Sequence, residues 1–302
     1  MKVLVTDPVD EILINILREK GYDVSYMPSI SHSELLDVVQ NVNILVVRSR
    51  TKVMRDVIDK AKSLKLIARV GVGLDNIDVE YARSRGIEVI NAGAATAQSV
   101  AELTIGLMIG LLRKIYFGYE RLRKGEWVKR KIRGLELHEK TLGIIGVGNI
   151  GSRVGKIAYY GFGMRVLGYR RRLNLVEKPI VPTDLNTLLR ESDIISVHLP
   201  LTPQTRKFID REKLDMMKNG VFIINTSRME ILDIDAILDG LRNGKIGGFA
   251  ADTNLKPEHP KVSELLSHPN VLLTPHIGAQ TIEAQRRAAE FIAQSIIERL
   301  PP

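Results

Sequence analysis

The stretch Leu142-Gly143-Ile144-Ile145-Gly146-Val147-Gly148-Asn149-Ile150-Gly151 decides how this chain folds. Leu142 to Ile145 reads as a buried strand and Ser152 to Tyr160 as a helix, so the glycine turn lies where a strand passes into a helix, the context that dinucleotide binding requires. Gly146 permits the tight turn, Gly148 lets backbone approach a pyrophosphate, and Gly151 lets the helix pack on the strand, with the N-terminal amides of Asn149 and Ile150 facing the phosphates. A second strand, Met164 to Tyr169, runs into Arg170-Arg171-Arg172, beginning 24 residues after Gly146. An acid at that strand end would accept hydrogen bonds from a ribose 2′-hydroxyl and repel a 2′-phosphate, whereas cations attract one. Arg170 and Arg171 therefore favour NADP, with NAD the alternative. A solvated charge run is the bland reading of the same residues.

Outward from that turn, the chain alternates between strand and helix. Val3 to Thr6, Asp23 to Met27, Ile44 to Val47, Leu66 to Val70 and Glu88 to Asn91 read as strands, separated by helices at Asp10 to Lys20, Ser31 to Val39, Met54 to Ala61 and Val79 to Ser84. A second series runs through Arg165 to Tyr169, Ile194 to His198, Val221 to Asn225, Ile246 to Ala251 and Val271 to Thr274. Such alternation predicts an α/β protein with two doubly wound parallel-sheet, Rossmann-like domains. The 302 residues suffice for both. The expected division is a substrate-binding domain over 1–96 plus 280–302, with a dinucleotide-binding domain over 97–279 inserted between its parts. A single long helix, Ala97 to Lys124, is expected to join them. Its apolar face, including Leu103, Leu107, Ile109, Leu111 and Leu112, exceeds what one domain needs and points to a homodimer.

Composition narrows the partners. There are no cysteines, which excludes disulfides and thiolate metal sites and is compatible with a reducing cytoplasm. The start MKVLVTDPVDEIL has no basic n-region or long apolar stretch, so no signal peptide is expected. The longest apolar run, Leu103 to Leu112, is too short to span a bilayer, and no membrane partner is expected. A net charge of +9 would suit nucleic acid, but basic residues read as dispersed and aromatics make up only 5% of the chain, so small anionic metabolites are the better match. His32, His138 and His268 have no partners at metal-ligand spacing, so no metal is expected.

Ligands of open parallel sheets bind beyond the carboxyl ends of the strands. Those ends carry His198-Leu199-Pro200, Asn225-Thr226-Ser227-Arg228, Asp252 and Thr274-Pro275-His276-Ile277-Gly278 in the second series. In the first they carry Arg48-Ser49-Arg50-Thr51 and Arg69-Val70-Gly71-Val72-Gly73-Leu74-Asp75-Asn76. His276 is the candidate acid-base, because imidazole titrates nearest neutrality. Arg228 offers a planar fork able to hold a carboxylate and polarise a neighbouring carbonyl. Backbone amides around Val72 and Gly73 suit a carboxylate nest. Arg48 and Arg50, flanking Ser49, are expected to alternate along a strand end, point the same way and suit a phosphate. Asp75 and Asn76 read as turn and capping residues, and His198 as a packed histidine.

The turn at Gly146, the Asn-Thr-Ser-Arg ending at Arg228, the strand end at Asp252 and the Pro-His-Ile-Gly around His276 together resemble the D-isomer-specific 2-hydroxyacid dehydrogenase family, in its order and spacing and over essentially the whole chain. Within it, Arg48-Ser49-Arg50-Thr51 and the segment Gly71 to Asp78 most resemble 3-phosphoglycerate dehydrogenase in a short form. The resemblance implies hydride transfer between NAD(P) and a small D-2-hydroxy or 2-oxo acid, an NADPH-dependent glyoxylate or hydroxypyruvate reductase being the nearest alternative. It also implies cofactor contacts at Leu199, Thr226, Ser227, Asp252 and Gly278. The family has a Glu that orients the histidine five residues after the strand-end Asp. Here that count reaches Pro257, and Glu258 follows one residue later, so a one-residue insertion would restore the role. A chain lacking that carboxylate would instead suit a cofactor-sensing binding protein of the same fold. Where the family usually has glycine after the arginine, Met229 stands here, and it is expected to narrow the space beside the nicotinamide.

Overall fold

In the computed structural model, which describes residues 1–302, the chain divides into two compact units, Met1–Thr96 with Ala279–Pro302, and Ala97–Gly278. The first holds five parallel strands, β1 (Lys2–Val5), β2 (Asp23–Tyr26), β3 (Ile44–Val47), β4 (Leu66–Arg69) and β5 (Glu88–Asn91), in the order β2-β1-β3-β4-β5. Every residue of β3 and β4 is buried. That follows from helices on both faces, since a parallel sheet needs long crossovers and these cover it twice. On one face α1 (Glu11–Glu19) and the terminal α12 (Ile282–Arg299) pack Leu13 and Leu17 against Ala288, Ile292 and Ile296. On the other, α2 (His32–Val38), α3 (Arg55–Lys60) and α4 (Val79–Ser84) supply Leu35, Val57 and Ala82. Local signals set the helix starts: Ser31 and Glu34 form a reciprocal capping box on α2, and Asp78 accepts the Tyr81 amide at 3.1 Å to start α4.

The second unit is built on seven parallel strands. In chain order they are β6 (Thr141–Ile145), β7 (Arg165–Tyr169), β8 (Val181–Pro182), β9 (Ile194–Val197), β10 (Val221–Asn225), β11 (Ile246–Asp252) and β12 (Val271–Thr274). Their spatial order is β12-β11-β10-β9-β6-β7-β8, so the winding reverses between β6 and β9. Helices α5 (Ala97–Leu112) and α7 (Asn149–Phe162) cover one face, with Leu107, Met108 and Leu111 meeting Ile144, Ile194, Ile224 and Val154. The other face holds Ile195, Ile223 and Phe249 under α8 (Leu185–Glu191), α9 (Arg211–Met216), α10 (Ile234–Arg242) and α11 (Pro260–Ser267). The register sets Ile145 opposite both Tyr169 and Val197, and Asn225 opposite both Val197 and Ala251, so the carboxyl ends finish nearly flush. No helix is long and apolar enough to cross a membrane.

The single helix expected over Ala97 to Lys124 is two. Lys114 adopts φ 52, in the left-handed region, which ends α5 and starts α6 (Ile115–Arg123) in a new direction. Gly134 then returns beside Leu112, and the Leu135 amide donates to the Leu112 carbonyl at 3.0 Å. Residues 113–134 thus form an arm with its two ends together, and α6 buries none of its residues. The surplus apolar surface lies on this arm, with Ile115, Tyr116, Tyr119, Leu122 and Trp127 exposed, whereas Leu107, Leu111 and Leu112 are inside the unit.

Candidate active site

At the β6–β9 reversal the glycine turn has the geometry its spacing predicts. Gly146 has φ +100, and a Cβ there would stand 2.5 Å from the His198 carbonyl oxygen, so no other residue fits. A Cβ on Gly151 would lie 2.4 Å from the Gly146 carbonyl oxygen, the close approach of α7 to its strand. Around Gly148 there is nothing within 4 Å of such a Cβ, so this backbone faces open space beside the N-terminus of α7. A pyrophosphate fits that cradle on charge and shape, because the first amides of a helix have no intrahelical acceptors. The Tyr169 carbonyl accepts from the amides of Gly146 at 2.9 Å and Val147 at 3.4 Å, which fastens the end of β7 to the turn. Arg170 follows directly, and its Nη1 donates to the Leu175 carbonyl at 3.3 Å, closing its own loop. Arg171 and Arg172 are exposed, and their side chains have no hydrogen-bond or ion-pair partner in the protein.

Beyond β10, the Asn225 side chain builds the turn that carries Arg228. Its Oδ1 accepts from the Ser227 amide at 3.0 Å and the Ser227 hydroxyl at 2.6 Å, while its Nδ2 donates to the Arg228 carbonyl at 2.9 Å. Nη1 of Arg228 donates to the Ser227 carbonyl at 3.0 Å. Met229 does not narrow a ligand space. It is 1% exposed and packs in the core under Ile231 and Phe249, because the chain turns inward after Arg228.

His276 is exposed at the end of β12 with φ 55, a left-handed backbone that histidine tolerates better than most residues. Asp252, buried at the end of β11, holds it there. One carboxylate oxygen accepts from the Thr274 hydroxyl at 2.6 Å and the Ile277 amide at 2.8 Å, and the other from the Gly278 amide at 2.7 Å. The Gly278 carbonyl accepts from the Ser99 hydroxyl of α5 at 2.6 Å. The Arg228 and His276 turns extend from strands on either side of β11, two strand spacings or about 10 Å apart. Glu258 stands exposed in the loop before α11 and makes no hydrogen bond or ion pair, with His276 or otherwise.

In the first unit, β3 ends at Val47, so Arg48 to Arg50 lie beyond the strand and do not alternate along it. The segment curls around the buried carboxylate of Asp7, which accepts from the Arg48 amide at 2.5 Å and the Thr51 hydroxyl at 2.7 Å and forms an ion pair with Arg50, its Nε 3.1 Å away. Arg50 also donates from Nη1 to the Ile30 carbonyl at 2.9 Å and from Nη2 to the carbonyls of Pro28 at 2.9 Å and of Thr6. Arg48 reaches the Pro8 carbonyl through Nη1 at 3.2 Å. Asn76 is a cross-link more than a cap. Its Nδ2 donates to the carbonyls of Arg48 at 2.8 Å and Thr51 at 2.6 Å, and its Oδ1 accepts from Nε of the buried Arg69 at 3.1 Å. Asn91 pins the next loop by donating to the Val72 carbonyl at 2.6 Å. The amides of Val72, Gly73 and Leu74 are then left without protein acceptors, three consecutive donors suited to an anion.

Sequence reading passed over Asp7 and the structural duty of Asn76. The only local signal for Asp7 is an acid directly after an apolar strand and before Pro8, a signal many turns share. His198 lies at the end of β9, and desolvation pushes its pKa from 6.5 down to about 3, so it is a neutral imidazole.

Comparison with known proteins places these features. Residues 105–278 match the family model described as D-isomer specific 2-hydroxyacid dehydrogenase, NAD binding domain. Over 300 residues the chain is 45% identical to the D-3-phosphoglycerate dehydrogenase of Methanocaldococcus jannaschii, covering 98% of this chain and 57% of that protein. It is 43% identical over 303 residues to the hydroxypyruvate reductase of Thermotoga maritima, covering 99% of this chain and 98% of that one. The chain thus spans little more than half of the first relative and nearly all of the second. Among solved structures, an acyclic imino acid reductase in complex with NADPH and D-Arg matches with a TM-score of 0.87 at 29% identity, covering 99% of this chain and 97% of that one.

Proposed function

Because the chain belongs to the D-isomer-specific 2-hydroxyacid dehydrogenase family, we propose that it oxidises a small D-2-hydroxy acid and reduces the matching 2-oxo acid, with D-3-phosphoglycerate as its substrate. The observation that carries this reading is the set of strand ends in the second unit, where the open Gly148 cradle, the Arg228 turn and the His276 turn follow flush strands of one sheet. A bound nicotinamide would supply or accept the hydride, and the protein's own groups do the rest. Gly146, Gly148, Asn149, Ile150 and Gly151 hold the pyrophosphate. Leu199, Thr226, Ser227 and Gly278 border the nicotinamide side. Both oxygens of Asp252 are occupied within the His276 turn, so its part is to hold that turn rather than the cofactor.

His276 takes the hydroxyl proton in oxidation and returns it in reduction, while the fork of Arg228 grips the carboxylate and polarises the carbonyl. Glu258 orients the imidazole, which requires its loop to carry it onto His276. In the first unit the amides of Val72 and Gly73 form a nest that suits a carboxylate. Arg48 and Ser49 take the phosphate, on a loop that Arg50 secures from beneath. NADP(H) is the preferred cofactor, since β7 ends in cations where an NAD site carries an acid, and the side chains of Arg171 and Arg172 have no protein partner. The protein acts in the cytoplasm as a homodimer joined through the 113–134 arm.

A second reading, NADPH-dependent reduction of hydroxypyruvate or glyoxylate, is favoured by two observations. Arg50 is committed to Asp7 and main-chain carbonyls, leaving one arginine of the pair for a phosphate, and the Thermotoga maritima relative is matched over 98% of its length. Initial rates with NADPH and NADH against phosphohydroxypyruvate, hydroxypyruvate and glyoxylate separate the two. A low KM for phosphohydroxypyruvate that rises on Arg48→Ala supports phosphoglycerate, whereas equal efficiency with glyoxylate overturns it.

A further inference from the structure

Beneath the glycine turn runs a chain of side-chain hydroxyls that ends on His198 and leads, through the Thr226 turn, towards Arg228. The Thr104 hydroxyl of α5 lies 2.7 Å from the Val100 carbonyl one turn earlier and 2.9 Å from the Thr226 hydroxyl. Thr226 Oγ1 is 3.4 Å from Nδ1 of His198, and Nε2 of His198 is 2.8 Å from the Ser196 hydroxyl, two residues back on β9. Ser196, Thr104 and Thr226 are all buried, so each contact needs its own proton.

With a neutral imidazole, only one distribution of protons satisfies every contact. A carbonyl cannot donate, so the Thr104 proton goes to Val100. Thr104 Oγ1 must then accept from Thr226, which makes Thr226 Oγ1 an acceptor for Nδ1–H of His198. Nε2 is left to accept from Ser196. The opposite tautomer would make Nδ1 and Thr104 compete for the single Thr226 proton, leaving either the 3.4 Å or the 2.9 Å contact with no proton, and would likewise turn Nε2–H onto the Ser196 hydroxyl. Desolvation independently removes the doubly protonated ring, because it holds the imidazole neutral.

We propose that His198 is a positioning residue for the reaction: locked as the Nδ1–H tautomer, it fixes Thr226 against α5 and thereby sets the turn that aims Arg228 at the substrate. The ring touches no reacting atom in this assignment. It joins three segments distant in sequence, since α5 contributes Thr104, the residue directly after β9 is His198, and the loop after β10 contributes Thr226. Asn225 and Ser227 shape that turn from within, and the Thr226 contact adds a directional tie from the turn to α5 and to His198 that apolar packing does not supply.

The kinetic part of this inference rests on the 2-hydroxyacid dehydrogenase reading, whereas the tautomer does not. Nitrogen NMR of the full-length wild-type protein, with His198 assigned by comparison with His198→Asn, is expected to show the proton on Nδ1. A proton on Nε2 overturns the proposal whatever the enzyme does. Loss of the Nδ1 donor in His198→Leu is expected to lower kcat/KM for the 2-oxo acid about tenfold, the scale of one well-placed hydrogen bond, with the KM for the nicotinamide cofactor within about twofold of wild type. Asparagine places an N–H donor where Nδ1 stands, and His198→Asn is expected to recover most of the loss. Equal damage in His198→Leu and His198→Asn, or damage confined to the cofactor KM, overturns it. A wild-type protein that reduces no 2-oxo acid refutes the dehydrogenase reading and leaves the tautomer measurement standing.

Discussion

At the scale of single residues, the arginine and the histidine differ in how their positions are secured. Arg228 is held by a turn that folds on itself, since Asn225, Ser227 and Arg228 share their hydrogen bonds within four residues. His276 is held from a neighbouring strand, through the three donors that Asp252 accepts. Arg228→Lys keeps the charge and loses the planar fork, so kcat/KM for the 2-oxo acid should fall by about 10²–10³ while the cofactor KM changes little. Steady-state kinetics at saturating cofactor measures this, and a loss of less than about threefold would show that charge alone suffices. Glu258 has a different expected signature. If its loop brings it to His276, the carboxylate favours the protonated imidazole needed for reduction, so Glu258→Gln should move the alkaline fall of the reduction rate to lower pH. An unchanged pH profile would leave the histidine without that partner. Arg228 and His276 are legible in the sequence because each follows an apolar strand run, Val221 to Ile224 and Val271 to Leu273. Asp7 and Asn76 are not, because their partners Arg48 and Thr51 lie 25 to 44 residues away and only the fold brings them together.

At the scale of elements, the glycine turn separates two jobs that the sequence pattern presents as one. Gly146 is required by the fold, with a positive φ and the His198 carbonyl 2.5 Å from where a methyl would stand. Gly148 is not, since its φ of −110° suits any residue and its Cβ direction is open. Gly146→Ala should therefore cost about 2–4 kcal/mol of stability and lower the thermal midpoint by several degrees. Gly148→Ala should unfold like wild type but bind the dinucleotide at least tenfold more weakly, its methyl standing where a pyrophosphate approaches. Thermal unfolding and a cofactor fluorescence titration, run on both variants, distinguish the two. Equal loss of stability would refute the division of labour. The strands were readable because buried parallel strands are unbroken apolar runs. The break between α5 and α6 was not, because Lys114 enters the left-handed region without the glycine or proline that ordinarily marks a helix end.

At the scale of the molecule, charge and apolar surface meet on the same arm. Residues 113–133 contain nine Lys or Arg against two Glu, so most of the chain's net +9 lies in a short segment rather than being dispersed along it. The same segment exposes Trp127 at 81%, Leu122 at 59% and Tyr116 and Tyr119 at 56% each. An apolar strip of this kind in water favours burial against a second copy, since a two-fold interface meets its own patch. Two such arms brought together also bring together like charges. The dimer we propose should therefore tighten as salt rises, because screening weakens repulsion between exposed charges while apolar burial is retained. Sedimentation velocity at low micromolar concentration should show a dimer in about 0.5 M NaCl and partial dissociation near 0.02 M, where the screening length grows severalfold. Trp127→Ala removes about 1.5–3 kcal/mol of burial from each of two symmetric positions and should shift the protein towards monomer at both salt concentrations, with its far-ultraviolet circular dichroism unchanged. Dissociation that instead increases with salt would place ion pairs rather than the aromatic strip at the centre of the contact. A wild-type protein that is monomeric in high salt would remove the dimer itself.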